Sequence, residues 1–421
     1  MPNYDLSCFS FMSGRIGQLQ TLKRFYVIAG DRMEIEFDGL FRLAPLRTFM
    51  ARDCQVDVFC FFVPERHVYG QTWIDFILDG VDETETFPGS TSIAATVGYL
   101  GTPEISGVLP LRLHAGYAKI WNRYFRNVTR SGDLLSETTP LQDGLRRIFG
   151  QEVARLPTIW SSSISNTVDS TDREVDTTGN VFDVVDLARI QAQLKTKLQR
   201  QWFAQFYSDV LHETFGGDTT HDGDERPTLV YREKGWLSGY DVDGTGSTTL
   251  GDYSGKSYGR MRFKMPRRFF GEHGQLWVMA ALRFPTVHQL EQHRMDKVVN
   301  PSYLEFAGDS DLVAQEPPEN INADQYFRGA GANNLGVVPY GQWYRYEPSV
   351  VGAQLAGQNI YPFLRNAPTT PEEAFYCQPG EYNHVFKGDT FGNWAAQCAL
   401  YCDCMRDVQG PLTSVFAGTM R

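Results

Sequence analysis

Two stretches of this 421-residue sequence combine cations with aromatic rings at spacings suited to gripping a polyanion. From Lys256 to Phe270 (KSYGRMRFKMPRRFF), the six cations Lys256, Arg260, Arg262, Lys264, Arg267 and Arg268 occur without a single acid. They interleave with Tyr258, Phe263, Phe269 and Phe270. Such a run suits a single nucleic-acid strand, which offers phosphates to the cations and base faces to the rings. In the second stretch, Lys119, Arg123, Arg126 and Arg130 recur at four, three and four residues, and no Asp or Glu lies between Glu104 and Asp133. On a helix that spacing makes a one-sided cationic stripe, which Arg112 continues only if the helix begins before Leu113. A basic stripe is also what a solvated face, or a partner for acids across a subunit junction, looks like. Both stretches are candidate DNA contacts.

Other reactive residue types fall into plainer patterns. Asp241 and Asp243, in DVDGTG, resemble part of a calcium loop. The full D-x-[DN]-x-[DN]-G pattern and its closing Glu are missing, and Asp-Gly is a common turn. The expectation is no cofactor, with a structural calcium at these two carboxylates as the weaker option. Cys398, Cys402 and Cys404 fall at even offsets with Leu400 in CALYCDC. In a strand they share one face, and free Cys there behaves as a small apolar residue. His67, His273 and His288 lie near expected strand ends, where hydrogen-bonded structural roles are common. No P-loop, HExxH or G-x-S-x-G motif occurs, and nothing singles out a glycosidase-like carboxylate pair. The expected class is not an enzyme.

The elements that would position these groups are mostly strands. In Arg32 to Asp38, Met33, Ile35 and Phe37 alternate with charged residues, which predicts a half-exposed strand ending at an Asp38-Gly39 turn. Cys54, Val56, Val58, Cys60 and Phe62 predict one apolar face of a second strand. Its other face runs from polar Gln55 and Asp57 to apolar Phe59 and Phe61, and Pro64 stops it. Gln275 to Phe284, Gln342 to Glu347 and Ala399 to Met405 are further strands. Gln71 to Leu78 reads as a short helix. A helix over 116–130 buries Tyr117, Ile120, Trp121, Tyr124, Phe125 and Val128. A longer one over 183–214 carries the stripe Leu187, Ile190, Leu194, Leu198, Phe206 and Val210, ended by Gly216-Gly217. Between the helices, 161–180 is a polar surface loop. This order predicts one mainly β domain over 1–421, with insertions at about 71–80, 112–130 and 183–217.

Composition narrows the class. The chain holds 39 Gly, 21 Pro and 13% aromatics, which suits short strands joined by many turns. A net charge of −11 excludes a general nucleic-acid binder. The start, MPNYDLSCFSF, has no secretory pattern, and the longest apolar run, Val58 to Val63, is too short to span a bilayer. The expectation is a protein made in a reducing cytosol, with no membrane insertion.

Several blocks, in order along the chain, resemble the F-type major capsid proteins of φX174-like microviruses. They include RIGQL (15–19), VIAGD (27–31), RLAPLR (42–47) and VDVFCFFVPERHVYGQTWIDFILDG (56–80). Further along come SGYDVDGTGSTTLGDYSG (238–255), PRRFFGEHGQLWVMAALRFP (266–285) and GQWYRYEP (341–348). The resemblance implies an eight-stranded viral jelly-roll β-barrel with long inserted loops and a few helices. It also implies self-assembly through pentamers into a T=1 icosahedral shell around circular single-stranded DNA. The partners it implies are a viral spike protein, internal and external scaffolding proteins, a DNA-pilot protein and a small basic DNA-packaging peptide. Exposed loops that meet host lipopolysaccharide, a place in the virion and assembly in the host bacterial cytoplasm belong to the same expectation. The rival class is a carbohydrate-binding or glycan-cleaving jelly roll, since the same barrel hosts lectins and hydrolases.

Overall fold

The computed structural model describes residues 3–50, 53–74, 90–93, 100–101, 107–126, 134–137, 226–242 and 253–285. It further describes most of 287–369, then 382–387 and 392–406. The expected helix over 183–214, the loop over 161–180, Val128, Arg130 and Asp243 lie outside the described residues.

The strands are β1 (Asn3–Asp5), β2 (Cys8–Gly14), β3 (Gln20–Val27), β4 (Arg32–Leu43), β5 (Cys54–Pro64), β6 (Ser90–Ile93), β7 (Gly107–Pro110) and β8 (Thr228–Val242). Then come β9 (Tyr253–Phe269), β10 (Gly274–Arg283), β11 (Val287–His288), β12 (Glu319–Asn322), β13 (Asn334–Val338), β14 (Leu364–Arg365) and β15 (Trp394–Met405). Helix α1 spans Glu65–Tyr69 and α2 spans Leu111–Tyr124. Nine strands form one antiparallel path in the order β1-β15-β4-β9-β8-β5-β10-β3, with β2 also on β15. β1 and β2 pair with successive parts of the same edge of β15, so they act as one interrupted strand. That leaves eight strand positions in two sets of four, 2-15-4-9 and 8-5-10-3, which is a jelly roll.

Strand β8 joins the two sets. Its first two-thirds pair with β5, from Leu237 opposite Cys54 to Thr228 opposite Phe62, and its last residues pair with β9. At the opposite seam β2 and β3 face each other without a ladder, and the Ser10 hydroxyl donates to the Leu22 carbonyl at 2.6 Å. Inside the barrel, inward residues of β3, β4, β5, β9, β10 and β15 form one continuous core. Tyr382, Val385 and Phe386, from the insertion between β10 and β15, join that same core.

The two sets differ on their outer faces. Set 8-5-10-3 is covered by α2: Tyr117, Ile120, Trp121 and Phe125 pack on Phe59, Phe61, Trp277 and Met279. With apolar neighbours on both sides, β5 is buried along its whole length and β10 along all but its last residue, the pattern of strands sandwiched between layers. Set 2-15-4-9 is open, and β4 and β15 alternate between core and solvent.

Three sequence expectations need correction. β4 does not turn at Asp38-Gly39 but continues to Leu43. Gly39 points inward, where an added Cβ would meet the Phe37 and Phe41 rings at 2.6 and 3.0 Å, so the glycine makes room for two core rings. The helix expected over 116–130 begins at Leu111, straight after Pro110. Gly116 lies inside it, where the Trp277 ring comes within 2.9 Å of a would-be Cβ. Gln342 to Arg345 is a 3₁₀ turn rather than a strand, with Trp343 driven into the interior beneath Arg294. The other expected strands at 32–38, 54–64, 275–284 and 399–405 are present, residues 71–74 are helical, and Cys398, Leu400, Cys402 and Cys404 share one buried face. Burial pushes the Cys398 and Cys402 thiols up to about 12, so they remain protonated apolar groups.

Two buried polar groups also hold the barrel together. Asp57, on the α2 side of β5, is 2% exposed and meets Arg232 at 3.0 Å, Arg283 at 3.2 Å and the Gln55 amide at 3.0 Å. At the far end of the barrel, Asp31 accepts from Arg406 and from the Ile28 N–H, tying the end of β15 to the β3–β4 turn. Asp57→Ala removes the buried carboxylate that both Arg283, itself 11% exposed, and Arg232 meet. The expected loss is about 3–5 kcal/mol, read as a fall in the urea midpoint at unchanged slope.

His288 is fully buried against Phe327, with Nδ1 2.9 Å from the Asn366 carbonyl. Burial, followed by the nearby Arg365 charge, pushes its pKa down to about 4. An unfolded His titrates near 6.5, so the folded state resists protonation. The resulting stability is fully present above pH ~6.5 and drains away as pH falls towards about 4. Urea midpoints at pH 7, 5.5 and 4.5 should fall steeply in the wild type and less steeply in His288→Gln.

Candidate nucleic-acid interface

The open face of set 2-15-4-9 is built by two-residue alternation. On β9, Met261, Phe263 and Met265 point into the core, which turns Tyr258, Arg260, Arg262, Lys264 and Arg268 outward. Register then places three of these cations beside outward residues of β4: Lys264 opposite Glu36, Arg262 opposite Asp38 and Arg260 opposite Leu40. β15 continues the rows with Tyr401 opposite Glu36 and Ala399 opposite Asp38, and β2 closes them with Phe9 opposite Ala399 and Phe11 opposite Gln397. The face therefore carries a cationic row on β9, an acidic row on β4 and an aromatic edge on β2. Three strand spacings, about 14 Å, separate the cations from the Phe9 and Phe11 rings.

The β9 cations are largely engaged. Asp38 accepts from both neighbours, from Arg260 Nε at 2.8 Å and from Arg262 Nη2 at 2.7 Å. These hydrogen bonds, Arg260's first, hold its carboxyl well below the usual carboxylate range. Lys264 pairs with Glu34, and Arg267 lies 3.9 Å from Glu34 and 4.0 Å from Asp403. Arg268 is exposed and meets no carboxylate among the described residues. Lys256 lies on β9. Two guanidinium groups on one carboxylate leave the row with an excess of positive charge.

The second candidate stripe sits differently. Because α2 begins at Leu111, Arg112 does continue the line of Lys119, Arg123 and Arg126. All four are half-buried rather than fully solvated. Lys119 pairs with Glu137 at 2.9 Å, and the Arg112 guanidinium lies over the Tyr26 ring at 5.4 Å. Asp241 falls in the last residues of β8. Among the described residues no three His, Cys, Asp or Glu side chains converge as a metal site, and no helix is long and apolar enough to cross a membrane.

Reading the sequence alone misses the acidic row and the aromatic edge. Glu34, Glu36 and Asp38 read as the polar side of a strand, and their partners stand more than 220 residues away. Phe9 and Phe11 give no signal of side, because Cys8 and Met12 make the alternate positions of β2 apolar as well.

A jelly roll with one helix-covered and one open sheet is a shell-type or ligand-binding β-barrel. Comparison with known proteins decides between them. A family model described as "Capsid protein (F protein)" matches residues 2–181 and 174–416. The chain is 35% identical over 398 residues to "Capsid protein F" of Escherichia phage G4, covering 94% of this chain and 92% of that one. It is also 35% identical to the proteins of that name from Enterobacteria phage phiK (96% and 95% covered) and Escherichia phage alpha3 (93% and 92% covered). This chain belongs to the capsid protein F family of bacteriophages of the Microviridae: it is a mainly β structural protein of the virion.

Asp38 tests whether the β9 row can hold a polyanion. Asp38→Asn releases both guanidinium groups at a cost of on the order of 1 kcal/mol or less, because the pairs lie at the solvent edge. Affinity for a single-stranded oligonucleotide at low salt should rise severalfold while the melting temperature barely moves. Unchanged affinity would count against phosphate contact by this row.

Proposed function

We propose that this chain is the major shell subunit of a small icosahedral phage, assembling through pentamers into a T=1 capsid around circular single-stranded DNA. The match to capsid protein F along nearly the whole chain carries this reading. The chain acts as one jelly-roll domain whose insertions meet its partners, and it performs no catalysis. Those partners are a spike protein, internal and external scaffolding proteins, a DNA-pilot protein and a small basic packaging peptide. Assembly takes place in the host cytoplasm, and exposed loops meet host lipopolysaccharide.

Genome contact falls first to the Lys256–Arg268 row, because its cations from Arg260 onward stand exposed on the open sheet whereas the helical stripe Lys119, Arg123 and Arg126 is half-buried and Lys119 is held by Glu137. A subunit of net charge −11 cannot neutralise phosphate by composition. A local cation row beside Tyr258 and Phe269 can hold single-stranded DNA while a separate basic partner condenses the bulk of it. Since Arg260 and Arg262 already hold Asp38, phosphate must compete with that carboxylate, and the contact is weak and strongly salt-dependent. Replacing Lys256, Arg260 and Arg262 together with Gln should lower the DNA content of purified particles and leave pentamer sedimentation unchanged. Full packaging in the triple variant would overturn the DNA role of the row. A wild-type chain that sediments only as monomer would overturn the shell role.

A further inference from the structure

The cation row of β9 has a second neighbour. Strand order runs β4-β9-β8, so β8 flanks the row on the side away from the acids of β4. The ladder between them runs from Tyr240 opposite Lys256 to Ser238 opposite Tyr258. Close packing carries the same alignment further. An added Cβ on Gly259 would meet the Leu237 Cα at 3.1 Å, and one on Gly235 would meet the Met261 side chain at 2.8 Å. Trp236 therefore stands opposite Arg260. With Leu237 and Met261 in the core, alternation turns Lys234, Trp236 and Ser238 outward on β8, and all three are exposed.

Trp236 is 49% exposed and Tyr258 51%. They occupy diagonal positions, about 7–8 Å apart across the strand pair, and Arg260 is next to both. Gly259 fixes this arrangement, because any Cβ there would come within 2.5 Å of the Trp236 carbonyl oxygen. Only glycine lets the β8 backbone approach so closely, and the ring is held beside the cations as a result. Carboxylates bound the strip on both sides: Asp38 on β4, and Asp53, which accepts from the Ser238 hydroxyl at 3.2 Å.

We propose that Trp236 and Tyr258 form a base-stacking platform for single-stranded nucleic acid, with Arg260 beside them on its backbone. The proposal rests on the reading of the β9 row as the genome contact, and it adds how that row tells a single strand from a duplex. Cations alone attract any polyanion, since phosphate contacts carry no information about the bases. Exposed rings take up base faces, which a single strand offers and a duplex keeps stacked within itself. The acids of β4 set the direction, so the strand lies across β9 and β8 rather than across β9 and β4. Stacking also needs no free guanidinium. It operates while Arg260 and Arg262 remain on Asp38.

The test is the fluorescence anisotropy of a short labelled oligo(dT), and of its duplex with oligo(dA), titrated with the full chain at several salt concentrations. Trp236→Ala should weaken single-strand binding about tenfold and Tyr258→Ala severalfold. The slope of log affinity against log salt should not change, because no phosphate contact is lost. Trp236→Phe should restore most of the binding, and Trp236→Ala should shrink the preference for single strand over duplex. Melting temperatures should stay where they are. Replacing Lys256, Arg260 and Arg262 with Gln should instead flatten the salt slope. If both alanine variants bind like the wild type while the Gln variant loses affinity, the platform is overturned and the genome contact stands. Lost assembly in Trp236→Ala with DNA affinity intact makes the ring a subunit contact and also overturns the platform. A wild type that binds no oligonucleotide at low salt overturns both readings.

Discussion

Two-residue alternation in β4, β9 and β15 is the constraint on which the rest of the open face depends. Each inward Phe, Met or Cys in the barrel core forces its chain neighbours outward, and antiparallel register fixes what stands beside them. The core thus sets the charge pattern outside. A one-residue slip of β9 would send Arg260, Arg262 and Lys264 into the barrel and Met261, Phe263 and Met265 into water. The ion pairs with Asp38 and Glu34 are worth little in free energy. Their positions nevertheless follow from the much larger burial term beneath them, of about 2–3 kcal/mol for each buried Phe or Met.

The same barrel uses its two outer faces for different ends. In the helix-covered set the central strands β5 and β10 are buried on both sides, and even the polar Asp57 is enclosed by Arg232, Arg283 and Gln55. The open set keeps its polar groups at the solvent edge, where water, phosphate or another protein can exchange for an existing partner. A shell subunit needs this division, with one face that holds its shape and one whose contacts are reversible. The acidic row on β4 separates the two edges of this face, because it repels anions from the ground between the β9 cations and the apolar β2 rings.

Local pattern was a good guide wherever an element had one wet face or none. The runs 54–64, 275–284 and 399–405 were legible because unbroken or alternating apolar residues admit few other structures. It misled where a residue served a distant neighbour. Gly39 looked like a turn but leaves space for Phe37 and Phe41, and Gly116 looked like a helix start but leaves space for Trp277. QWYRYE reads as a strand but forms a 3₁₀ turn, with Trp343 anchored under Arg294. The cations of the candidate site were legible one by one. Their neutralisation was not, because Asp38 and Arg262 are brought together only by the sheet.

The strand order also bears on synthesis. β15 lies between β2 and β4, pairing residues 394–405 with partners within the first 43 of the chain. Until β15 leaves the ribosome, β2 has no ladder and one edge of β4 stays open, so the barrel cannot close during translation. Pairing across nearly 400 residues is slow, and the waiting edges are sites for aggregation. The nascent subunit must therefore spend most of its synthesis as an unclosed sheet. Any cellular factor that shields strand edges will set how much of the translated protein ever becomes shell.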